Sequence, residues 1–318
     1  MNMYIGIQQR LHRKILFVFL LFMSSLAAAE SLRVPGGKLN IDWRSNFSDE
    51  EKARLRVWLS HAAESASLLS GRFPRQETNI LVQRAKRGKG PVPWAHTIRH
   101  TEPEGVSFHV DPSASTDALI RDWTATHEFS HLFLPYPGRE DIWISEGFAS
   151  YYQNILMMRK GTLSEQQGWQ KIADGFARGE ADPNQGVSLQ TVSREMRERR
   201  AFKRVYWSGA LYFFEADLVL RQQGQSLDQV ITEFALCCKH QAKEWNGTGI
   251  ALALDQAAKR DLFSPLYALY QQTKHLPDYH TMLERIGVSI VDKRVILNTD
   301  VELARLRQAI SLSPRKSP

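Results

Sequence analysis

Residues 127–131 read His-Glu-Phe-Ser-His, and no other stretch constrains the chain as much. On a helix, positions i and i+4 lie on one face, so two imidazoles four apart can grip one metal ion. The glutamate between them is turned off that seam, where it can act as general base toward a water on the metal. The pentapeptide therefore demands a helix. It also demands a third ligand, because a catalytic zinc site of this kind takes three protein ligands and keeps one open position.

The next helical stretch offers one. Residues 143–152 read WISEGFASYY, and Glu146 stands there among apolar and small residues, with Gly147 and Ala149 permitting close packing. A carboxylate in such surroundings needs a partner, since burying an unpaired charge is costly. A shared ion supplies it. The expected set is Zn²⁺ held by His127, His131 and Glu146, with Glu128 as general base.

Together, HEFSH and WISEGFASYY resemble the gluzincin metallopeptidases, above all the glycyl aminopeptidase family and more distantly the aminopeptidase N family. Those families carry H-E-x-x-H followed by W-x-x-E-G. The resemblance covers roughly residues 105–225 and implies a zinc site on a thermolysin-like zincin fold. It also implies a tyrosine in a Y-x-x-G-A context that donates a hydrogen bond to the oxyanion. Residues 206–210 read YWSGA, so Tyr206 takes that role by resemblance. A phenol and a zinc ion together stabilise developing negative charge better than a ground-state carbonyl.

The chain also departs from the pattern. Only 14 residues separate His131 from Glu146, fewer than is usual in these families, which shortens one wall of the cleft. No G-x-M-E-N motif precedes the metal helix, so aminopeptidase specificity lacks its usual amine-binding element and exopeptidase versus endopeptidase stays open. The strand expected at 105–110 occupies that place. As an exposed edge it would pair with a substrate backbone by strand addition, making Gly105, Val106, Ser107 and His109 candidate substrate contacts. Glu102 or Glu104 beside it is a candidate amine holder or a plain turn acid. Asp122 and Asp141 are the nearest candidates to orient the histidine ligands. The remaining histidines carry no ligand spacing.

Arg10, Arg13 and Lys14, the apolar run 15–23 and Ala27-Ala28-Ala29 form the three regions of a signal peptide over residues 1–29. The expectation is an exported, periplasmic protein with no stable membrane partner after cleavage; the alternative is an uncleaved inner-membrane anchor. Removing this segment takes three positive and no negative charges from the formal +7, leaving +4. That mild excess supports no nucleic-acid partner. The one dense basic run, 194–204, is interleaved with acids and reads as a solvated face. Cys237 and Cys238, the only cysteines, are adjacent in an apolar helical run and read as buried free thiols.

Periodicity predicts two short strands within 30–47, a helix over 49–69 and strands at 79–84, 96–101 and 105–110. One helix then runs from 115 or 116 to about 133 and another over 141–159, with a third starting at 162–164. Later helices are expected at 188–196, 206–223, 226–240, 249–260 and 264–273, then a hairpin at 288–296 and a helix at 300–310. The fold class is α+β, with a small sheet-bearing N-terminal lobe over about 30–135 and a helical C-terminal lobe over about 136–318. The expected function is a zinc-dependent peptidase acting on peptide or protein substrates. The alternative is a zinc-containing binding or scaffold protein on the same fold without turnover.

Overall fold

The computed structural model describes residues 30–86, 89–239 and 244–312; the expected signal peptide lies outside them. In the N-terminal part, β1 (Glu30–Val34) and β2 (Gly37–Trp43) form a hairpin whose turn uses Gly36 at φ 72°. Helix α1 (Asp49–Ser67) starts at a capping box in which Ser48 and Glu51 satisfy each other's backbone N–H. Strands β3 (Glu77–Arg84), β4 (Trp94–Ile98) and β5 (Gly105–Val110) complete a sheet in the order β1-β2-β3-β5-β4. The β2–β3 and β3–β5 pairs are parallel, and the two outer pairs are antiparallel. Val106, Phe108 and Val110 of β5 are fully buried. Phe108 meets Trp58 of α1 edge-on at 5.0 Å and Phe129 of the HEFSH segment at 5.8 Å. One sheet face thus carries both α1 and the metal helix.

Two expectations are corrected here. Strand β5 is not an edge: it lies between β3 and β4 and pairs with both, so no substrate strand can add to Gly105, Val106, Ser107 or His109. The edge is β4. A Cβ at Gly105 would come 2.6 Å from the Asn79 carbonyl oxygen, so that glycine serves the close pairing with β3. Ser107 and His109 alternate to the face opposite Phe108, away from the metal helix, where His109 Nε2 accepts from Gln83 Nε2 at 3.0 Å. The second correction concerns the helix expected to run unbroken to 133. It is two helices, α2 (Thr116–Arg121) and α3 (Thr124–His131). Asp122 turns extended at ψ 132°, and its carboxylate accepts the Thr124 N–H at 2.9 Å. This side chain, one that competes with the backbone for hydrogen bonds, breaks the helix and starts the next.

The C-terminal part comprises α4 (Ile142–Arg159), α5 (Glu165–Glu180), α6 (Leu189–Arg194), α7 (Phe202–Gln222), α8 (Leu227–Cys237), α9 (Gly247–Ala258), α10 (Phe263–Gln272) and α11 (Tyr279–Glu284), then the hairpin β6 (Val288–Val291) and β7 (Arg294–Leu297), and α12 (Val301–Ser311). Helix α7 opens one turn earlier than the expected residue 206. The short α11, capped by Asp278, has no counterpart among the expected helices. Helices α4 and α7 are buried along most of their length and cross at Gly147 and Gly209. A Cβ on Gly209 would come 2.7 Å from Gly147 Cα, and closer still to the Trp143 carbonyl oxygen. Two backbones therefore touch with no side chain between them.

The cysteine reading is also corrected: Cys237 and Cys238 are joined by a disulfide. Helix α8 ends at Cys237, and Cys238 leaves helical geometry at φ −128°, ψ −28°. That departure allows neighbouring sulfurs to meet although their Cα atoms are only 3.7 Å apart.

Candidate metal centre

Helix α3 presents His127 and His131 on the side that faces α4. Glu146 lies in the second turn of α4. Its Oε2 is 3.3 Å from His127 Nε2 and 3.6 Å from His131 Nε2. A tetrahedral ion with bonds of about 2.0–2.1 Å holds its donors about 3.3–3.4 Å apart, so the two spacings from Glu146 are close to those of a zinc site. Donor atoms of His127, Glu128 and His131 also fall within 4.8 Å of one another. Glu128, however, accepts from Thr97 Oγ1 of β4 at 3.0 Å, whereas one Glu146 oxygen faces both rings. Glu146 is the carboxylate better placed to share an ion with them, and Glu128 stands beside it.

Each ring is oriented from behind. Gln153 Oε1 is 2.8 Å from His127 Nδ1, and Ser145 Oγ is 3.0 Å from His131 Nδ1. These bonds turn the Nε2 atoms toward each other. Neither Asp122 nor Asp141 does this work. Asp122 caps α3, while Asp141 accepts from Gly247 N–H and from the Tyr267 hydroxyl, both at 2.8 Å. Glu104 is held by Arg75 and Arg99 and is not free to hold an amine.

Burial sets the protonation states. It pushes the Glu128 carboxyl up to about 7, and the nearby Glu146 charge adds to this, against the pull of His127, Thr97 and Arg99. Burial takes His131 down to about 3, so its ring stays neutral, as a ligand must. Burial, then the Glu146 charge, holds the Tyr206 hydroxyl well above its usual range, so it keeps its proton as a donor. Tyr206 lies one turn into α7. Its ring stacks on His127 at 6.0 Å, and its hydroxyl reaches the Glu146 carboxylate. The structure thus brings His127, Glu128, His131, Glu146 and Tyr206 together and leaves Ser107 and His109 outside.

Sequence reasoning missed several supports. Gln153 lies seven residues after Glu146, a two-turn spacing on one helix face that could have revealed it. Thr97 carries no such signal. Nor do the two cations at the C-terminal end of α3: Arg99 donates to the carbonyls of His131 (2.6 Å) and Leu134 (3.1 Å), and Lys239 Nζ donates to Leu132 O at 3.0 Å. Cations there satisfy carbonyls left open by the helix end and oppose its dipole.

Lys239 is 8% exposed. Burial, then the neighbouring Arg75 and Arg99, lowers its pKa to about 7. The unfolded chain keeps this proton up to about 10.4, so between those values it binds more protons than the folded one and stability rises with pH. Lys239→Met is expected to stabilise the protein near pH 6, by at most on the order of 5 kcal/mol, with the gain shrinking toward pH 10. Urea midpoints of both proteins across that range give the difference; a pH-independent gap would contradict the buried-charge account.

The family model for M61 glycyl aminopeptidase matches residues 136–212, which carry Glu146 and Tyr206. Comparison with curated proteins finds no match. Among solved structures, an aminopeptidase N family protein from Idiomarina loihiensis aligns with a TM-score of 0.61 at 17% identity, covering 82% of this chain and 49% of that one. An M1 zinc metallopeptidase variant from Deinococcus radiodurans, bound to a Tyr-Ser-Ala substrate, aligns with a TM-score of 0.50 at 14% identity, covering 79% of this chain and 52% of that one. The chain spans about half the length of these structures. It is similar in sequence to the M61 glycyl aminopeptidases over residues 136–212, and in its mixed α and β fold, a small N-terminal sheet followed by helices, to the M1 metallopeptidases.

Proposed function

We propose that this chain is a zinc-dependent peptidase on a thermolysin-like zincin fold, hydrolysing peptide bonds of peptide or protein substrates. One observation carries the reading: one carboxylate oxygen lies 3.3 and 3.6 Å from two ring nitrogens, with Glu128 and the Tyr206 hydroxyl beside them. His127, His131 and Glu146 would hold the zinc, which when bound polarises the scissile carbonyl and acidifies water. The neighbouring M1 enzyme with its bound tripeptide supports a peptide as substrate.

Glu128 takes the proton of the attacking water and later delivers it to the leaving amine. Its raised pKa suits both steps. Thr97 keeps the carboxyl aimed, and β4 offers a backbone edge unpaired among the described residues directly beside it, along which an extended substrate can lie. Tyr206 donates its hydrogen bond to the oxygen that gains charge. The signal-peptide pattern at 1–29 supports export to the periplasm. Among the described residues, no helix is long and apolar enough to cross a membrane.

The test is metal removal. The purified protein is expected to carry one zinc, to hydrolyse members of a mixed peptide library, to lose that activity on chelation and to regain it with zinc. Hydrolysis that persists after complete chelation would overturn the reading.

A further inference from the structure

A cavity of about 330 Å³ opens beside the metal centre, between α4, α5 and α7, with Trp123 at its mouth. It adjoins the site through two residues. Gln153 lines it while its Oε1 holds His127, and Tyr206 lines it while its ring stacks on the same histidine. A group bound here sits next to whatever the metal centre holds.

Its polar lining is unused by the fold. Ser150 and Asn154, one turn apart on α4, are each only 2% exposed, and neither side chain has a hydrogen-bond partner among the described residues. Both line the cavity, and their polar atoms stay open to it and available to a bound group. Gln153 spends its carbonyl oxygen on His127, and its N–H₂ group makes no hydrogen bond among the described residues.

The α5 wall adds charge. Lys171 and Arg178 line it, and neither has a carboxylate within 4.0 Å among the described residues. The Arg178 guanidinium lies over the Trp207 ring at 5.4 Å, so it is pre-positioned with its N–H edges free. The Arg197 charge also reaches the Tyr206 hydroxyl. Asp174 also lines the cavity and accepts from Gln170 Nε2 at 2.8 Å; Asp122, within reach of the Lys171 charge, accepts from Thr124 N–H at 2.9 Å. The lining thus carries two cations against one carboxylate, donors outnumber acceptors, and two tryptophans supply apolar walls.

We infer that this cavity is a specificity pocket that seats a carboxylate of the substrate, an acidic side chain or a free C-terminus close to the cleaved bond. The inference rests on the peptidase reading of the adjoining centre. Lys171 and Arg178 supply the charge, and Ser150, Gln153 and Asn154 donate hydrogen bonds to the carboxylate oxygens.

The experiment compares peptides carrying Glu, Gln or Lys next to the cleaved bond, each with a free or an amidated C-terminus. The Glu peptides or the free-acid peptides are expected to exceed their neutral counterparts in kcat/KM by about 10- to 100-fold, chiefly through KM. The arm that shows the preference identifies the source of the carboxylate. Lys171→Ala, Arg178→Ala and Asn154→Leu should each draw the acidic-to-neutral ratio toward one, and added salt should do so in the wild type. Equal rates for all peptides, or a preference for Lys, overturn the pocket while leaving the peptidase reading standing. Because Trp123 and Trp207 line the cavity, a fluorescence titration with Ala-Glu and Ala-Gln reads binding without turnover. Ala-Glu binding that weakens in Lys171→Ala supports the pocket even if no peptide is cleaved, an outcome that would sink only the peptidase reading. Ala-Gln amide, which has neither an acidic side chain nor a free C-terminus, completes the set, and equal binding of all three overturns the pocket.

Discussion

Glu128→Gln is expected to retain one zinc per chain and to lose peptide hydrolysis by roughly 10²–10⁴-fold in kcat. The amide keeps the shape of the carboxyl and can still accept from Thr97 Oγ1, so neither the α3–β4 contact nor the His127–His131–Glu146 set is disturbed. What disappears is the group that accepts a proton from water and returns it to the leaving amine. The side chain is 7% exposed and its charge is opposed by burial, so folding should not suffer from its neutralisation. The measurement is kcat on a cleaved peptide together with zinc content by mass spectrometry. A variant that keeps its zinc and more than a tenth of its activity would remove Glu128 from the role of base. A variant that loses its zinc would make Glu128, not Glu146, the third ligand.

Gly209→Ala should have the larger effect on the molecule as a whole. Its new methyl would press on the Trp143 carbonyl and come 2.7 Å from Gly147 Cα, atoms of backbone that cannot rotate away. The α4 and α7 axes must separate, at a cost of roughly 1–3 kcal/mol or more. Glu146 adjoins Gly147, and Tyr206 is one turn before Gly209, so the separation pulls the carboxylate from the phenol. Misplacement by about 1 Å near reacting groups costs about 10²-fold in rate. Both the urea midpoint and kcat/KM are expected to fall. Gly249→Ala is the control, because there the nearest atom is a side-chain oxygen at 3.3 Å. If the two variants behave alike, the backbone crossing is not what aligns the site.

Legibility in the sequence followed the range of the interaction. The capping boxes at Ser48, Ser164 and Ser226 begin helices that periodicity also predicts, because both signals act within one turn. The break at Asp122 was missed although it is equally local. A strong apolar pattern on either side masked a carboxylate that bonds its own backbone two residues on. The order of the sheet was not legible at all. Alternation in Val106, Phe108 and Val110 marks a strand with one buried face, and β5 has that face; it says nothing about which neighbours pair with the backbone edges. The edge therefore passed from β5 to β4, and the strand-addition argument for Gly105, Val106, Ser107 and His109 fell with it. The disulfide was misread for a related reason, since it depends on where α8 stops.

By itself the sequence determined the reacting side chains of the proposed site. His127, Glu128 and His131 share one short helix, and Glu146 lies on the next, so their grouping follows from helical spacing and one tight connection. Only the tertiary structure decided how they are held and what lies beside them. Thr97 at Glu128, Arg99 and Lys239 at the end of α3, and the cavity-lining Ser150 and Asn154 all meet their surroundings across long stretches of chain or across a cavity. No repeat of 2.0 or 3.6 residues encodes such meetings. They exist because packed helices and a paired sheet bring together side chains that the chain keeps far apart.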